Sequence, residues 1–268
     1  MDFKNKKVLI TGGCSGIGKI MARKSLERGA SNLIIWDINE EGLAKTKEEF
    51  ANFGKEISTY KVDVSNLDEI KNAAQRVRTE VGKVDILINN AGIVVGKYFH
   101  EHTHEQIQKS LLINANALMH IALEFLPEMM KENSGAICNI ASSAGLISNP
   151  KMSVYAASKW AVNGWSDSLR LEMEQLDKNV SVTTIMPFYI NTGMFDGVKS
   201  KLLPILEPEP TSERIIKAIE KGTKILAMPL PYWFIRFSQG ILPIPAFDWV
   251  MKNVFGIYDT MKDFTGRK

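Results

Sequence analysis

Two side chains that could handle a proton, Tyr155 and Lys159, stand four residues apart, and Ser142 lies a short distance upstream. In a helix, this spacing puts both side chains on one face, one turn apart. A phenol alone is a poor acid or base at neutral pH because its pKa is near ~10, but a neighbouring ammonium favours the phenolate and lowers that pKa. The three side chains could therefore move a proton on or off an alcohol, with Ser142 hydrogen-bonding the substrate oxygen. A hydride would need a redox cofactor, and a helix that carries these residues without function is the alternative.

The composition is that of an ordinary soluble globular protein, with 45% hydrophobic and 24% charged residues among 268. A formal net charge of +3 gives no argument for a nucleic-acid partner. Cys14 and Cys138 form no disulfide framework and suit a reducing compartment. The N-terminus lacks the pattern of a signal peptide, and no uninterrupted apolar run reaches the ~18 residues of a spanning helix. We therefore expect a cytoplasmic protein.

A glycine-rich turn, Thr11–Gly18, follows a predicted first strand and precedes a predicted helix from Lys19 to Arg28. This arrangement binds a pyrophosphate, because the glycines let the backbone approach and the free N–H groups of the helix N-terminus favour an anion. The glycine spacing differs from the commonest dinucleotide fingerprint, so its position between strand and helix carries the argument. The candidate cofactor-binding residues of this turn are Gly12, Cys14, Ser15, Gly16, Ile17 and Gly18.

A predicted second strand, Asn32–Asp37, ends on a carboxylate. Asp37 follows Gly18 at close to the ~20 positions expected of the residue that binds an adenosine ribose. A carboxylate there would hydrogen-bond a 2′-hydroxyl and repel a 2′-phosphate, and the following Ile38 adds no positive charge. We therefore expect NAD rather than NADP, although an acidic residue that merely ends a strand is the alternative.

Strands and helices alternate along the rest of the chain. Further strands are predicted at Ile57–Val62, Val84–Ile88, Ala136–Ile140, Val180–Met186 and Lys224–Met228. This alternation predicts an α/β fold with a Rossmann-like, doubly wound sheet of seven parallel strands flanked by helices. Ligands of such sheets bind at the carboxyl ends of the strands, where the glycine-rich turn, Asp37, Asp63 and Asn90 fall.

Two other polar features lie in or near a long predicted helix, Glu105–Leu126. His100, His102 and His104 alternate, but this spacing is undemanding and no cysteine or well-placed carboxylate joins them, so we predict no metal site. Asn114 would lie on the inward side of the helix, where an amide needs a partner such as a water in the active site.

Residues 229–268 differ in character from residues 1–228, which form the predicted catalytic domain. Aromatic side chains are frequent from Pro229 to Tyr258, and prolines and charged residues interrupt them. This apolar extension of the same domain could cover the substrate, contact another subunit or lie on a membrane surface. Small residues on the predicted helix Ser153–Leu176 would allow close packing against a second subunit: Ala156, Ala157, Ala161 and Gly164.

In this order and spacing, these motifs resemble the short-chain dehydrogenase/reductase family over nearly the whole chain. The matching segments are Thr11–Gly18, Asp63-Val64, Asn89–Gly92, Asn114, Ser142 and Tyr155-x-x-x-Lys159. The resemblance implies that Tyr155 is the acid/base, that Lys159 lowers its pKa and holds the nicotinamide ribose, and that Ser142 binds the carbonyl. It also implies that Asn114 holds a proton-relay water. Further implied cofactor contacts are Asp63, Val64, Asn90, Ala91, Gly92, Pro187, Ile190 and Thr192.

Two further stretches, Trp36–Asn39 and Pro187–Phe195, look like the retinol dehydrogenase and 17β-hydroxysteroid dehydrogenase branch of that family. The resemblance implies an enzyme of retinoids, steroids or other lipid alcohols, usually on membranes. We expect no N-terminal hydrophobic anchor of the kind found in that branch. Phe188 stands where the wider family has glycine, as in the branch, and should narrow the space near the nicotinamide amide.

We therefore predict an NAD-dependent alcohol dehydrogenase or ketone reductase for apolar, lipid-like substrates, assembled as a homodimer or homotetramer. A catalytically silent NAD-binding scaffold is one alternative, but Ser142, Tyr155 and Lys159 are all present. A sugar epimerase or dehydratase is another, although such enzymes carry a longer C-terminal substrate domain. An enzyme of the same family that acts on small non-lipid ketones is the third.

Overall fold

The protein, described here by a computed structural model over residues 1–229 and 231–266, is built on one sheet of seven parallel strands. The strands are β1 Lys7–Thr11, β2 Asn32–Asp37, β3 Glu56–Lys61, β4 Ile86–Asn89, β5 Gly135–Ile140, β6 Val180–Pro187 and β7 Ile225–Met228. Their order across the sheet is β3-β2-β1-β4-β5-β6-β7. The predicted Rossmann-like, doubly wound α/β fold is confirmed, and the predicted strands differ from the observed ones only at their ends.

Helices cover both faces of the sheet, which is why the central strands are apolar on both sides. The helices are α1 Gly16–Glu27, α2 Glu40–Phe50, α3 Leu67–Glu80, α4 His104–Leu111, α5 Ala117–Lys131, α6 Ser153–Gln175, α7 Pro208–Glu220, α8 Pro231–Ile241 and α9 Ile244–Trp249. One hydrophobic core cluster joins α1, α2 and α7 to one face, and a second joins α3, α5 and α6 to the other.

The long helix predicted at Glu105–Leu126 is interrupted. Its two parts, α4 and α5, are joined by a π-helical turn at Leu112–Asn116. The combined segment His104–Lys131 is long and apolar enough to cross a membrane by length and composition alone. Half of its most apolar window is buried inside the fold, and its inward side chains belong to the core, which accounts for the apolar composition.

The predicted C-terminal extension covers one end of the sheet with α8, α9 and the turns that follow. Its inward side chains, Ile235, Phe247, Met251, Phe255 and Ile257, join a third core cluster with residues from the segments after β5 and β6. The boundary between residues 228 and 229 remains a prediction. Leu230, Arg267 and Lys268, which that extension includes, lie outside the described residues.

Candidate active site

The order of the strands creates a crevice between β1 and β4. The chain passes outwards from β1 to β3 and then returns to β4 on the other side of β1. The connections that follow β1 and β4 therefore diverge, and the carboxyl ends of these two strands are the place where such sheets bind ligands. The glycine-rich turn leaves β1 at this point, and the Asn89–Gly92 segment leaves β4.

The glycine-rich turn needs its glycines for two different reasons. Gly12 and Gly16 have positive φ angles of 65° and 53°, which side chains other than glycine rarely adopt. A Cβ atom on Gly18 would lie 2.2 Å from the carbonyl oxygen of Gly12, so only glycine lets α1 begin this close to the turn. The first turn of α1 carries no acidic side chain, and its N–H groups and positive dipole end favour an anion.

The segment after β4 is fixed to this turn by Asn90. The Asn90 Nδ2 donates to the carbonyl oxygens of Thr11 and Gly12 at 2.9 and 3.2 Å. The backbone N–H groups of Asn90 and Ala91 donate to the Thr11 hydroxyl, each at 3.0 Å. The floor of the crevice is therefore held in place by hydrogen bonds within the protein.

Asp37 lies beside the glycine-rich turn, as its position at the end of β2 predicts. Its carboxylate accepts hydrogen bonds from the backbone N–H groups of Cys14 and Asn39 at 3.1 and 3.0 Å. Burial and the charge of Asp37 raise the pKa of the Cys14 thiol to about 12, so this thiol adds no charge at neutral pH. One carboxylate, with a turn of backbone N–H groups beside it, thus marks this end of the crevice.

A cleft runs from the glycine-rich turn to the catalytic candidates. The predicted residues that line it are Gly12, Ser15, Gly16, Ile17, Gly18, Asn90, Ala91, Gly92, Ser142, Tyr155, Lys159, Pro187, Ile190 and Thr192. Six predicted residues do not line it: Cys14, Asp37, Ile38, Asp63, Val64 and Asn114. Of these, Asp63 accepts hydrogen bonds at one carboxylate oxygen from the N–H and the hydroxyl of Ser65, at 2.9 and 2.6 Å.

Phe188, which we expected near the nicotinamide amide, also lines the cleft, and four further lining residues were not predicted there: Ile140, Ala141, Met194 and Phe195. Ile140 and Ala141 could have been found, because they directly precede Ser142 at the carboxyl end of β5. Met194 and Phe195 reach the cleft through the irregular segment after β6. No local sequence pattern gives the path of such a segment.

Ser142 and Tyr155 meet in this cleft. Ser142 lies just past β5, and its hydroxyl acts to lower the pKa of the phenol of Tyr155, which α6 carries in its first turn. The Ser142 Oγ also accepts a hydrogen bond from the Ala144 N–H at 3.1 Å, and the Pro187 carbonyl oxygen lies 3.5 Å away. Both side chains are buried, so the pair is held in one orientation.

Lys159 lies one turn after Tyr155 and is hydrogen-bonded to the end of β5. Its Nζ donates to the Ile140 carbonyl oxygen at 2.8 Å and lies 5.7 Å from the centre of the Tyr155 ring. Burial lowers the pKa of Lys159 to about 8 and raises the pKa of Tyr155 above its usual value. The loss of hydration thus outweighs the effect of Ser142 on the phenol, and the lowering of its pKa by the ammonium stays a prediction.

Asn114 is fully buried in the π-helical turn and is tied to its neighbours on both sides. Its Oδ1 accepts from the Ile93 N–H at 2.8 Å, and its Nδ2 donates to the Ile93 carbonyl oxygen and the Ser158 hydroxyl at 2.9 and 3.1 Å. Both amide hydrogens are thus used within the protein. The side chain therefore fixes the segment after β4 against α6, and the water-holding role of Asn114 stays a prediction.

A second, mostly apolar cavity adjoins the cleft. Ser142, Phe188 and Phe195 line both. The other residues of the cavity wall are Ser143, Ala144, Ile147, Asn149, Met152, Tyr189, Leu203, Met228, Pro229, Ile235 and Ile257. Ser142 therefore stands in a wall that is otherwise mostly apolar.

The three alternating histidines lie on the surface away from this cleft. Tyr98 stacks on His100, and the backbone oxygen of Tyr98 lies 3.1 Å from His102 Nδ1. Within residues 1–229 and 231–266, no group of three or more His, Cys, Asp or Glu side chains is arranged to hold a metal ion.

Comparison with known proteins gives a consistent result. The family model described as short chain dehydrogenase matches residues 6–202. The chain is 38% identical over 266 residues to epidermal retinol dehydrogenase 2 of Mus musculus, covering 97% of this chain and 85% of that protein. It is 36% identical over 237 residues to estradiol 17-beta-dehydrogenase 11 of Pongo abelii, covering 88% of this chain and 79% of that protein.

Two solved structures share the fold, each at 25% sequence identity. A short-chain dehydrogenase/reductase from Burkholderia phymatum in complex with NAD has a TM-score of 0.82, covering 90% of this chain and 95% of that chain. A short-chain dehydrogenase from Sphingobium yanoikuyae in complex with NADPH has a TM-score of 0.78, covering 88% of this chain and 94% of that chain.

Proposed function

The chain belongs to the short-chain dehydrogenase/reductase family, in the branch of the retinol and 17β-hydroxysteroid dehydrogenases, and on that premise we propose that it interconverts an alcohol and a carbonyl on an apolar, lipid-like substrate. The observation that carries this proposal is the contact between the two cavities. Ser142 lines both the glycine-lined cleft, which Tyr155 also lines, and the apolar cavity. The reacting group of such a substrate would lie beside Ser142 and Tyr155, and its apolar body would lie in the cavity.

In the proposed reaction, the phenolate of Tyr155 takes the hydroxyl proton in the oxidation, and the phenol so formed returns a proton to the carbonyl oxygen in the reduction. Ser142 hydrogen-bonds the same substrate oxygen and holds it near the phenol. A nicotinamide cofactor, when bound, supplies the hydride acceptor for the oxidation and the hydride donor for the reduction. Lys159 holds the end of β5 through Ile140 and offers its charge to the ribose side of the cleft. Asn114 acts as a positioning residue for the segment after β4 and for α6.

The residues present fit a dinucleotide. A Cβ on Gly12 would lie 3.1 Å from the Ala91 Cα, and Gly16 faces Thr192 across the cleft, so the backbone leaves a narrow groove at the N-terminus of α1. We propose that this groove holds the pyrophosphate, with Pro187, Ile190 and Thr192 on the nicotinamide side. Cys14, Ile38, Asp63 and Val64 are proposed to surround the adenosine, although they lie outside the cleft lining.

We propose NAD as the preferred cofactor, because the carboxylate of Asp37 would repel a 2′-phosphate. Comparing kcat/KM for NAD and NADP tests this preference. Replacement of Asp37 by Ser should reduce the ratio of kcat/KM with NAD to kcat/KM with NADP by about tenfold, because one charged hydrogen bond to the cofactor is lost. An Asp68→Ser variant is the control, since Asp68 lies in the first turn of α3. A higher kcat/KM with NADP in the unchanged protein would contradict the preference.

The substrate class is tested with a panel of retinoid, steroid and simple short-chain alcohols and ketones, followed at the NADH absorbance. We expect kcat/KM to be higher for the large apolar compounds, because the cavity wall is built mainly from apolar side chains. Equal or higher kcat/KM for small ketones would favour the small-substrate alternative. Binding of nicotinamide nucleotides without turnover of any compound would favour the silent scaffold.

We also propose that the protein works at a membrane surface in a reducing compartment. Both cysteines are free, and large apolar side chains are exposed on α8, α9 and the turn between them: Trp233, Phe234, Phe237, Ile241, Ile244 and Trp249. Flotation with liposomes tests this proposal, with a Phe234→Ser/Phe237→Ser double variant as control. The intact protein should float and the variant should not; absence of the intact protein from the lipid fraction would dismiss the membrane contact.

A homodimer or homotetramer is proposed from the outer face of α6. Ala157, Ala161 and Gly164 are exposed there beside Trp160, whereas Ala156, which we also expected on this face, is buried. Small side chains allow another helix to approach closely, and the indole offers apolar surface to cover. A monomeric mass in light scattering would contradict this assembly, and Trp160→Glu should dissociate it if this face is the interface.

A further inference from the structure

Three polar side chains, Asn149, Tyr189 and Thr260, meet in the wall of the apolar cavity. They come from the loop after β5, the segment after β6 and the C-terminal extension. Asn149 and Tyr189 line the cavity, and all three are at least nine-tenths buried, with 9%, 6% and 1% of their surface exposed. Buried polar atoms in an apolar wall are costly unless each has a partner, so their hydrogen bonds can be counted.

The hydroxyl of Thr260 fixes the orientation of the Asn149 amide. Thr260 Oγ1 donates to the Ile257 carbonyl oxygen at 2.9 Å, which uses its hydrogen. Toward Asn149 it can therefore only accept, so the amide nitrogen faces it at 2.8 Å. The same nitrogen donates to the Tyr189 hydroxyl at 2.9 Å, and the tyrosine has its own hydrogen for Thr260 Oγ1 at 2.9 Å or Met152 Sδ at 3.4 Å.

With these donors used, one acceptor is left over. Asn149 Oδ1 is buried and has no hydrogen-bond partner among the described residues. Other buried atoms of the described chain share this state, on Asn32, Trp36, Asn89, His102, Asn163 and Ser212. None of those residues lines the cleft or the cavity beside Ser142, whereas Asn149 does. The unpaired acceptor therefore belongs to a residue of the cavity wall.

We propose that Asn149 Oδ1 accepts a hydrogen bond from a hydroxyl group on the substrate, at a position remote from the reacting carbinol. The preferred substrate is then an apolar molecule with two polar positions: one that reacts at Ser142 and Tyr155, and a second that donates to Asn149. An ether or ketone at the second position could not satisfy the acceptor and would leave it unpaired. This inference rests on the proposed function, because it deepens the substrate class of the same site.

The test compares long primary alcohols that differ only at the far end, over a series of chain lengths. One set ends in a tertiary hydroxyl, which cannot itself be oxidised, and the matched set ends in its methyl ether. At the chain length that fits the cavity, kcat/KM should be ~tenfold higher for the hydroxyl compound, the size of one hydrogen bond to a buried acceptor. A preference for the ether, or none at any length, would overturn the inference without any variant being needed.

Two matched variants separate this role from a structural one. Asn149→Leu removes the acceptor and should bring the hydroxyl-to-ether ratio to about one, whatever its effect on stability. Asn163→Leu is the control, because Asn163 also carries a buried unpaired Oδ1 but lines neither the cleft nor the cavity beside Ser142. Its ratio should equal that of the unchanged protein. An unchanged ratio in Asn149→Leu would overturn the inference.

Thermal unfolding with each compound supplies a readout besides turnover. The hydroxyl compound should raise the Tm of the unchanged protein more than the ether does, and this difference should vanish in Asn149→Leu. If neither compound is oxidised but the Tm difference is present, the proposed oxidoreductase function fails on these substrates and the Asn149 contact stands. If both are oxidised with equal kcat/KM and equal Tm shifts, the function stands and the Asn149 contact is overturned.

Discussion

The two halves of the candidate site are built from different parts of the chain. The cofactor half, from the glycine-rich turn to Gly92, is made largely of backbone, and its shape depends on Gly12, Gly16 and Gly18. The substrate half is made of side chains from the segments after β5 and β6 and from α8 to the C-terminal turns. A shape made by backbone demands particular residues at particular spacings, whereas an apolar wall can be made by many different side chains.

Tyr155 and Lys159 line the cleft together with Ser142, which both halves share, and both side chains are buried. Burial acts on them in opposite directions, raising the pKa of the phenol and lowering that of the ammonium. Both side chains are thus pushed towards their neutral forms. Removing one atom here, the hydroxyl oxygen of Tyr155, should therefore abolish the proposed proton transfer while cofactor binding persists.

The largest effect is expected from Tyr155→Phe. Removing the hydroxyl takes away the proposed acid/base, so turnover should fall by ~10²–10⁴-fold. Nicotinamide binding, followed by fluorescence titration, should persist, because the glycine-rich turn is untouched. Tyr60→Phe is the matched control: Tyr60 is equally buried, but its hydroxyl bonds Glu80 on α3, so turnover should be unchanged. A fully active Tyr155→Phe protein would contradict the assignment.

Sequence spacing was sufficient for the cofactor half. The glycine-rich turn, Asp37, Ser142 and the Tyr155–Lys159 pair each lie at a strand end or on one helix turn, and the alternation of elements brings those strand ends to one edge. The identity of the fold therefore followed from local patterns. The cleft contains most of the predicted residues for the same reason.

The substrate half could not be predicted in this way. Asn149 and Thr260 are 111 positions apart, and their contact depends on the path of the whole C-terminal extension.

Asn114 looked like an inward residue of a continuous helix, but its hydrogen bonds to Ile93 coincide with a π-helical turn. Sequence spacing gives the distance between Tyr155 and Lys159 along a helix, but not the loss of hydration that raises the pKa of the buried phenol.

A smaller effect, on the free energy of unfolding, is expected from Lys159→Met. The pKa of Lys159 is about 8 in the folded protein, against an ordinary value of 10.5. Between these two pH values the unfolded chain binds more protons than the folded one, so this group makes stability rise with pH. Below about pH 8 the buried charge of Lys159 destabilises the folded protein by on the order of 3 kcal/mol. The hydrogen bond to Ile140 offsets about 1 kcal/mol of this.

We therefore expect Lys159→Met to be more stable than the unchanged protein at pH 7, with the gap closing towards pH 10.5. Urea unfolding at pH 7, 9 and 10.5 measures the gap, and taking the difference cancels the titration of Cys14 and Tyr155, which both proteins share. Lys199→Met is the control, since Lys199 is exposed and paired with Asp263 on the surface. A gap that is absent, or independent of pH, would mean that burial does not disfavour the charge of Lys159.

One added methyl group is expected to have different effects in the two halves, and the smaller of them is the smallest effect of the series. In Gly18→Ala the new Cβ would lie 2.2 Å from the Gly12 oxygen and 2.5 Å from Asn90 Nδ2, so α1 must shift. Overpacking of this kind costs ~1–3 kcal/mol, and nicotinamide nucleotide binding should weaken with it. In Gly240→Ala, on α8, the Cβ meets no atom of the described residues within 4 Å. Helix propensity should then stabilise the protein by ~0.5–1 kcal/mol and leave nucleotide binding unchanged.

Measuring both variants by urea unfolding and by nucleotide titration tests whether the backbone really shapes the cofactor half. The two substitutions are chemically identical, so a difference between them can come only from their surroundings. If Gly18→Ala binds the nucleotide as tightly as Gly240→Ala does, α1 can move without loss of the groove. The glycine spacing would then be a matter of turn formation alone, and the contrast between a backbone-made half and a side-chain-made half would have to rest on Gly12 and Gly16, whose positive φ angles no helix shift can relieve.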